Sequence, residues 1–417
     1  MDGALRIEIH TRSRLTGARA GRITTAHGSF ETPAFMAVGT RATVKGIAPP
    51  LLAATGTEVM LCNTFHLMLR PGEEVVRSLG GLHRFTGWPG PILTDSGGYQ
   101  AYSMADRNAV DDDGVTFRSI VDGSRVRLTP ERAIEAQNAL GADIILAFDD
   151  CPPSIDPTVG AVNQTRLRLA AARDSSGQGW YDHAARLRAA NERTIRWLER
   201  CKRAHARSDE QALFGIVQGG TDLDARAWCI ERVCAIDLPG YAIGGVAVGE
   251  DHERIAAVTA FTAPRLPGDK PRYLMGVGYE RDLVAAVIAG VDMFDCVLPT
   301  RNGRNGHAFT RTGVVRLRNA EHATDAEPIE RGCDCQACDP ARHGWGPAEG
   351  GWFSRGYLRH LFMAGEMLGP ILVSLHNLRL FQRLMFDIRR AVVEDDWPSL
   401  GRAWPRAAEG LPASLRS

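Results

Sequence analysis

The sequence predicts an α/β protein of the (β/α)8 TIM-barrel type. Eight short apolar runs are spread along the 417 residues, and each stops abruptly at a glycine or a polar residue. Runs this short that are apolar throughout are typical of parallel strands buried on both faces. Amphipathic helical patterns lie between several of the runs. Eight strands that alternate with helices indicate a closed barrel.

A doubly wound open sheet is the structural alternative. The Gly-x-Gly-x-x-Gly pattern that opens such folds after the first strand is absent, which favours the barrel. The eight predicted strands comprise residues 34–38, 59–62, 92–94, 144–148, 213–217, 241–243, 273–275 and 292–294.

Five helices are predicted between the later strands. The clearest begins with Thr129 as N-cap and Pro130 in its first turn, and it ends at Gly141. Residues 183–205 predict a longer and very basic helix. The other three patterns cover residues 224–236, 252–261 and 280–289. Two stretches, residues 175–179 and 339–351, are rich in turn residues and are predicted to be surface insertions.

Composition narrows the class of protein. The 49 Lys and Arg residues balance the 49 Asp and Glu residues, so any nucleic-acid surface has to be a local patch. No apolar run approaches the roughly 20 residues that cross a bilayer, and no signal-peptide pattern is visible. The nine cysteines are odd in number and irregular in spacing, which indicates reduced thiols. We therefore expect a cytoplasmic protein without a membrane partner.

Polar residues and glycines end the predicted strands. In a barrel the strand ends meet at one mouth, which is where active sites form. A single polar residue at such a place is as easily a helix cap, but three aspartates at equivalent positions favour chemistry. Paired carboxylates suit glycosidic chemistry, in which one attacks the anomeric carbon and the other moves a proton. The strand-ending residues are Asn63, Asp95, Asp149, Gln218, Gly244, Gly245, Gly276 and Asp295.

Three cysteines lie within six residues: Cys333, Cys335 and Cys338. Thiolates at this spacing predict a zinc site of the closed, structural kind. The spacing leaves the fourth ligand open among His343, His360 and His376. We expect a catalytic barrel over residues 1–318, whose N-terminal residues form a lid or extra strands. Residues 319–417 then form a zinc-binding subdomain with the closing helices.

A local basic patch follows Asp295 directly. Most charge runs are solvated faces, but cations beside a barrel mouth can hold a phosphate backbone over a reactive carboxylate. The patch consists of Arg301, Arg304, Arg311, Arg316 and Arg318.

Several segments resemble the bacterial tRNA-guanine transglycosylases, also called queuine tRNA-ribosyltransferases. They occur in order along nearly the whole chain, together with the three clustered cysteines. The matching segments are NTFHL (63–67), TDSGGYQ (94–100), AFDDC (147–151), GIVQGG (215–220), GGVAVGE (244–250), LMGVG (274–278), DMFDCVLPTR (292–301) and HNL (376–378).

The resemblance implies an activity and a set of roles. The family replaces the wobble guanine of GUN-anticodon tRNAs with a 7-substituted 7-deazaguanine, toward queuosine, and acts as a homodimer with one structural Zn²⁺ per subunit. By this resemblance Asp295 is the nucleophile that holds a covalent tRNA intermediate, and Asp95 is the general acid and base. The implied base-binding residues are Ser96, Gly97, Gly98, Tyr99, Asp149, Gln218, Gly244, Gly245, Val246 and Met275.

The resemblance also assigns the RNA and metal contacts. Its zinc ligands correspond to Cys333, Cys335, Cys338 and His376. The implied RNA-binding residues are Gly276, Val277, Gly278, Tyr279, Glu280, Arg281, Asp282, Thr300, Arg301, Asn302, Gly303 and Arg304. Cys151 and Val248 occupy positions that accompany the small aminomethyl base in this family, and not the bulky queuine. The sequence departs from the family at Asp150, where glutamate is more usual, and at Ile120, where histidine is expected.

Three alternative functions differ in the residues they need. A non-catalytic, tRNA-binding paralogue would lack the carboxylates, which are retained here. An archaeal-type enzyme acting on the D-arm would carry further RNA-binding domains after His376, and about 40 residues follow it. Without the resemblance, a zinc-containing barrel glycoside hydrolase with Asp95 and Asp295 as its carboxylate pair remains. Activity on an oligosaccharide and none on tRNA would favour the last of these.

Overall fold

The computed structural model describes residues 3–103, 108–156, 182–345 and 351–416. The predicted insertion at residues 175–179 lies outside these ranges, as do residues 346–350 of the predicted insertion at 339–351.

Eight parallel strands close into a barrel, which confirms the predicted fold class and excludes the open doubly wound sheet. Each predicted apolar run coincides with one barrel strand, and the ends differ by no more than two residues. In chain order the barrel strands are β4 (Ala34–Gly39), β5 (Met60–Cys62), β6 (Ile92–Thr94), β10 (Ile144–Leu146), β11 (Ala212–Val217), β12 (Gly240–Ile243), β13 (Arg272–Leu274) and β14 (Met293–Asp295).

The barrel closes where β14 pairs with β4, with Phe294 opposite Phe35 and Asp295 opposite Met36. Strands such as β11 are buried at every position, because one face meets the barrel interior and the other meets the helices. This double burial is the reason that the runs are apolar throughout.

Three small antiparallel sheets accompany the barrel. The first contains β1 (Leu5–Arg12), β2 (Arg19–Thr25) and β3 (Gly28–Thr32), and it precedes the barrel in the chain. Exposed and partly buried residues alternate along β1, as expected for a strand with one face toward solvent. The other two sheets contain β7 (Asn108–Asp111), β8 (Gly114–Arg118) and β9 (Arg125–Leu128), and β15 (His307–Thr310) and β16 (Gly313–Arg316).

Helices surround the barrel and form the C-terminal part. The five helices predicted from the sequence are present, as α6 to α10. The described α-helices are α1 (Pro49–Ala53), α2 (Thr64–Leu69), α3 (Glu73–Ser78), α4 (Gly81–Thr86), α5 (Gly98–Ser103), α6 (Pro130–Leu140), α7 (His183–Ala204), α8 (Leu223–Ala235), α9 (His252–Thr262), α10 (Glu280–Ile288), α11 (Leu298–Arg304), α12 (Arg355–Ala364), α13 (Leu368–Glu394), α14 (Trp397–Ala403) and α15 (Pro405–Ala408).

The long helix α13 connects the barrel to the C-terminal part. It packs against β4 of the barrel and also against α11 and β15. Leu375 and Leu378 join the main core, whereas Leu372 and Val373 join a second core around the clustered cysteines. The two predicted parts therefore share one helix, and the division at residue 318 stays a prediction. Among the helices of the described ranges, none is long and apolar enough to cross a membrane.

Candidate active site and metal centre

The strand-ending residues lie at the carboxyl end of the barrel. Asp95 follows β6 directly, Gln218 follows β11, and Asp295 is the last residue of β14. Asp149 lies three residues after β10, and Gly244 follows β12. Because all eight strands run in parallel, these ends share one mouth, and several of the side chains are in contact.

Asp295 is held through one of its carboxylate oxygens. The Tyr273 hydroxyl donates to Oδ1 at 2.6 Å, and the amide of Gly276 donates to the same oxygen at 2.8 Å. Among the described residues, none donates a hydrogen bond to Oδ2. Burial raises the pKa of Asp295 above its ordinary value, and the two hydrogen bonds oppose that rise. One oxygen thus fixes the carboxylate while the other is left for a reacting atom.

Asp95 lies across the mouth from Asp295 and is buried. The side chain of Asn63 donates to its Oδ2, as does Gln100 at 3.2 Å, and the amide of Thr64 donates to its Oδ1 at 2.9 Å. Burial raises the pKa of Asp95 to about 7, and the charge of Asp295 adds to the rise. A carboxyl group with this pKa can both give and take a proton near neutral pH.

Asp149 and Gln218 form a second polar pair in the mouth. The Gln218 amide donates to Asp149 Oδ2 at 2.6 Å, and the Ser96 hydroxyl donates to Oδ1 at 3.3 Å. Burial raises the pKa of Asp149 to about 6, and the bond from Gln218 opposes this. Gln218 Oε1 is buried without a hydrogen-bond partner among the described residues. The pair therefore presents a carboxylate and an amide that can form further hydrogen bonds with a ligand.

Glycines let the backbone approach this pair closely. A Cβ on Gly98 would lie 3.0 Å from the Asp149 carbonyl oxygen, and a Cβ on Gly245 would overlap Gln218 Oε1. Gly245 also has a φ of +64°, in the left-handed region that favours glycine. Larger residues at either position would displace Asp149 or Gln218.

The remaining predicted base-binding residues surround the mouth. Val246 is buried next to the glycine pair, Met275 is partly buried after β13, and Tyr99 is 44% exposed at the start of α5. A Cβ on Gly97 would lie 3.1 Å from the Phe65 amide nitrogen, and Gly244 donates its amide to the Val217 carbonyl at 3.0 Å.

The clustered cysteines converge with one histidine. The Nδ1 atom of His376 lies 3.6 Å, 3.3 Å and 3.5 Å from the Sγ atoms of Cys333, Cys335 and Cys338. All four residues are buried, and the cluster could hold a metal ion. His376 Nε2 donates to the Phe309 carbonyl at 2.7 Å, which directs Nδ1 at the sulfur atoms.

The other two candidates for the fourth ligand lie outside the cluster. His343 Nε2 donates to the Asp334 carbonyl at 2.8 Å. The ring centroids of His360 and Tyr357 are 6.4 Å apart. The geometry therefore selects His376 from the three histidines that the spacing left open.

Comparisons with known proteins agree with this arrangement. A family model described as Queuine tRNA-ribosyltransferase matches residues 13–176 and 170–409. The chain belongs to the queuine tRNA-ribosyltransferase family. The protein of that name from Thermus thermophilus is 48% identical over 398 residues, which cover 95% of this chain and 93% of its own. The one from Symbiobacterium thermophilum is 48% identical over 404 residues, covering 96% and 91%. The one from Herpetosiphon aurantiacus is 46% identical over 399 residues, covering 96% and 92%.

The predicted RNA-binding segments of this family member lie next to the mouth, after β13 and β14. In the first, Tyr279 is 47% exposed, whereas Glu280 and Asp282 are buried at the start of α10. Asp282 accepts a hydrogen bond from His252. Only the exposed parts of this segment are accessible to a ligand. Its other predicted residues are Gly276, Val277, Gly278 and Arg281.

The second segment forms α11, directly after Asp295. Arg301 is exposed, Asn302 and Arg304 are partly buried, and Thr300 and Gly303 are buried against the protein. Within the rest of the predicted basic patch, Arg318 lies at the C-terminal end of α11, where its Nε donates to the Asn305 carbonyl at 3.3 Å. Arg311 lies over the Trp404 ring, Arg318 lies over the Phe362 ring, and Arg316 ends β16. Arg301 and Arg304 therefore lie on α11 after Asp295, and Arg318 lies beside the end of the same helix. Arg311 and Arg316 belong to the hairpin of β15 and β16.

Sequence reasoning missed Tyr273, whose hydroxyl bonds the Asp295 carboxylate. In the sequence Tyr273 is part of an apolar run that predicts a strand. A buried tyrosine hydroxyl needs a hydrogen-bond partner, and the next strand ends in an aspartate, so a usable signal existed. Asn63 and Gln100 were noted in their motifs, but their contacts with Asp95 were not predicted.

Asp150, where glutamate is more usual in the family, forms ion pairs inside the protein. Its buried carboxylate bonds Arg186 at 2.6 Å and Arg193 at 2.5 Å, and both arginines belong to the basic helix α7. Part of the positive charge of that helix is therefore neutralised inside the protein.

Proposed function

We propose that the protein is a tRNA-guanine transglycosylase. It exchanges the wobble guanine of GUN-anticodon tRNAs for a 7-aminomethyl-7-deazaguanine precursor in queuosine biosynthesis. The observation that carries the proposal is the pairing of Asp95 and Asp295 at one barrel mouth, beside the Asp149–Gln218 pair, in a member of this family.

The first half of the reaction breaks the bond between the ribose and guanine. Asp295 Oδ2 attacks C1′ while Oδ1 stays bonded to Tyr273 and Gly276. The C1′–N9 bond breaks, and Asp95 gives its proton to the departing guanine. The result is an ester between Asp295 and the ribose and an ionised Asp95.

The second half reverses these roles. Asp95 takes the N9 proton of the incoming deazaguanine, whose nitrogen attacks C1′ and displaces the Asp295 carboxylate. One glycosidic bond replaces another, so the exchange needs no nucleotide energy. The pKa of Asp95, raised by burial to about 7, suits a group that alternates between acid and base.

Base recognition uses the second polar pair. Guanine and its 7-deaza analogues present two N–H donors and a carbonyl oxygen on one edge. Asp149 accepts from the donors, and the Gln218 amide and the Gly245 N–H donate to the carbonyl. Tyr99 stacks on the ring, and Ser96, Gly97, Gly98, Gly244, Val246 and Met275 surround it. Cys151 lies buried in the same region, and Val248 follows the glycine pair; by the family resemblance both favour the aminomethyl base.

The RNA contacts follow from the position of the site. A base within a stacked loop cannot reach a barrel mouth, so the wobble nucleotide is extruded. The segments around Tyr279 and Arg301 bind the flanking backbone. We propose a cytoplasmic homodimer as the acting species, in keeping with the family resemblance.

Zinc is the proposed metal of the Cys333, Cys335, Cys338 and His376 cluster. A tetrahedral zinc ion with a Zn–S bond of about 2.3 Å and a Zn–N bond of about 2.0 Å separates sulfur from nitrogen by about 3.5 Å. The observed separations of 3.3–3.6 Å fit that geometry. Four protein ligands would leave no open position on the ion, so a zinc held by these residues would stabilise the fold.

The test is guanine exchange with a covalent trap. Wild-type protein is incubated with a GUN-anticodon tRNA and labelled guanine, and the label in tRNA is measured alongside a denaturation-resistant protein–RNA band. We expect label and band for the wild type and neither for Asp295→Ala. Absence of exchange in the wild type overturns the function, particularly if an oligosaccharide is cleaved instead. A band that persists in Asp295→Ala moves the nucleophile to another residue.

A further inference from the structure

Arg226, on α8, is a fully buried cation close to the active site. Within the described ranges no carboxylate lies at ion-pair distance from its guanidinium. Burial lowers the pKa of Arg226 to about 10, so it still carries its charge at neutral pH. Burying an unpaired charge is costly, so the contacts that this guanidinium makes have to be specific.

These contacts are all backbone carbonyls of the two loops at the base-binding side. Arg226 Nε donates to the Gly220 carbonyl at 2.6 Å, and Nη2 donates to the Gly244 carbonyl at 2.8 Å and the Gly245 carbonyl at 3.3 Å. One planar guanidinium therefore joins the loop after β11, which carries Gln218, to the loop after β12.

The direction of these carbonyls fixes the direction of the next amides. In a trans peptide the C=O and the following N–H point in opposite directions. Because the Gly244 and Gly245 carbonyls face Arg226, the N–H groups of Gly245 and Val246 face away from it. In the part of the chain that the structure describes, neither amide donates to a protein acceptor. The close approach of Gly245 to Gln218 Oε1 places this backbone beside the proposed base pocket.

We propose that Arg226 is the positioning residue that orients the Gly245 and Val246 amides toward the carbonyl edge of a purine or 7-deazapurine base. The inference rests on the proposed function and adds to it the group that maintains base recognition. Arg226 does not touch the base; it acts through the two peptide units that it holds.

The chain offers a matched control. Arg272 is also buried and also donates to backbone carbonyls, those of Gly290 at 3.3 Å and Leu266 at 2.7 Å. It lies at the start of β13, at the opposite end of the barrel from the mouth. Arg272→Lys therefore carries the structural cost of altering a buried guanidinium without disturbing the base pocket.

The experiment measures the affinity of the free base by calorimetry. Guanine is compared with 2-aminopurine, which lacks the carbonyl oxygen and the N1 proton, in wild type, Arg226→Lys, Arg226→Met and Arg272→Lys. We expect the wild type to prefer guanine by about 10-fold or more, because an unmatched buried donor is costly. In the two Arg226 variants that preference falls by about 5-fold, because the carbonyl contribution is lost while the N1–H contribution through Asp149 remains, whereas Arg272→Lys keeps the full preference. The affinity for tRNA, dominated by phosphate contacts, changes less than the affinity for guanine.

The outcomes separate the two proposals. A wild type that neither binds guanine nor exchanges it contradicts the proposed function. A wild type that exchanges guanine but binds 2-aminopurine equally well overturns the role of Arg226, and this result needs no variant to fold. The role is also overturned if a folded Arg226 variant keeps the full preference, or if Arg272→Lys loses it to the same extent.

Discussion

The Tyr273 hydroxyl donates a 2.6 Å hydrogen bond to Oδ1 of Asp295 from the neighbouring barrel strand. The bond stabilises the ionised carboxylate and so opposes the rise in pKa that burial causes. A group outside the predicted set of site residues therefore helps to keep the proposed nucleophile charged.

Replacing Tyr273 with phenylalanine should shift the pH dependence of base exchange. A hydrogen bond to a charged group contributes about 1.5–3 kcal/mol, and one pKa unit corresponds to about 1.4 kcal/mol. Without the bond the pKa of Asp295 rises further, so the carboxylate is protonated at a higher pH. We expect the acidic limb of the kcat/KM profile to move up by about one to two pH units.

Tyr241→Phe is the matched control for this profile. Tyr241 is a buried tyrosine of the adjacent strand whose hydroxyl accepts the Leu238 amide at 3.2 Å, at the other end of the barrel. Its removal should leave the acidic limb in place. An unchanged limb in Tyr273→Phe would show that the hydroxyl does not control the ionisation of Asp295.

Asp95→Asn should change the pH dependence of stability as well as the rate. The folded-state pKa of Asp95, about 7, lies above its ordinary value of 3.8. The stability contributed by the protonated form is complete below about pH 4 and is lost as the pH rises through about 7. From pH 4 to 7.5 the wild type should therefore lose unfolding free energy on the order of a few kcal/mol through this group.

Urea titrations at several pH values measure this term. The loss of unfolding free energy between pH 4 and 7.5 should be smaller in Asp95→Asn. It should be unchanged in Asp209→Asn, which replaces an exposed carboxylate. Exchange by Asp95→Asn should slow by about 10²–10⁴-fold, as expected for loss of a general acid and base. An identical pH dependence of stability in wild type and Asp95→Asn would contradict the raised pKa.

Gly245→Ala should weaken base binding. The new Cβ overlaps Gln218 Oε1, so the Gln218 side chain has to move away from Asp149, and the positive φ strains the alanine as well. We expect about a 10-fold or greater rise in KM for the base, with little change in KM for tRNA. Gly268→Ala serves as control, because a Cβ there meets nothing within 4 Å. Equal KM values in the two variants would exclude a close fit at Gly245.

Cys335→Ser should remove the metal and destabilise the fold. The cysteine is buried among the four proposed ligands, and the loss of a structural metal costs about 4 kcal/mol or more. Elemental analysis should give one zinc per wild-type chain and much less for the variant, with a lower Tm. Cys234→Ser, at a half-buried cysteine outside the cluster, should keep both values. A metal-free wild type of full stability would contradict the proposed role of zinc.

The barrel could be predicted because parallel strands are apolar on both faces. Each of the eight apolar runs between residues 34 and 294 shows this pattern. The turn residues that follow the runs predict the strand ends to within two positions. Asp95, Asp149 and Gln218 could be predicted as neighbours in one site, because each follows a strand and the carboxyl ends of parallel strands meet at one mouth. The sheet of β7 to β9 was not predicted, since its strands have only four or five residues and their burial does not alternate regularly. For the N-terminal sheet the sequence predicted only a lid or extra strands.

Residues that act through others were harder to predict. Tyr273 and Arg226 lie inside elements whose apolar patterns explain their neighbours, and their polar contacts depend on residues far along the chain or on backbone carbonyls. No local spacing encodes such contacts. The spacing likewise left the fourth ligand open, and His376 was assigned only by the family resemblance. In the structure, the packing of α13 beside β15 brings the Nδ1 atom of His376 to the cysteine sulfur atoms.

The junction between β14 and β4 also concerns how the protein is made. Asp295 lies opposite Met36, so this junction joins the first and the last barrel strands to leave the ribosome. A nascent chain that stops before residue 293 lacks the closing strand β14 and Asp295 together. Under the proposed mechanism, completion of the barrel and the capacity to open a glycosidic bond therefore arise in the same step of synthesis.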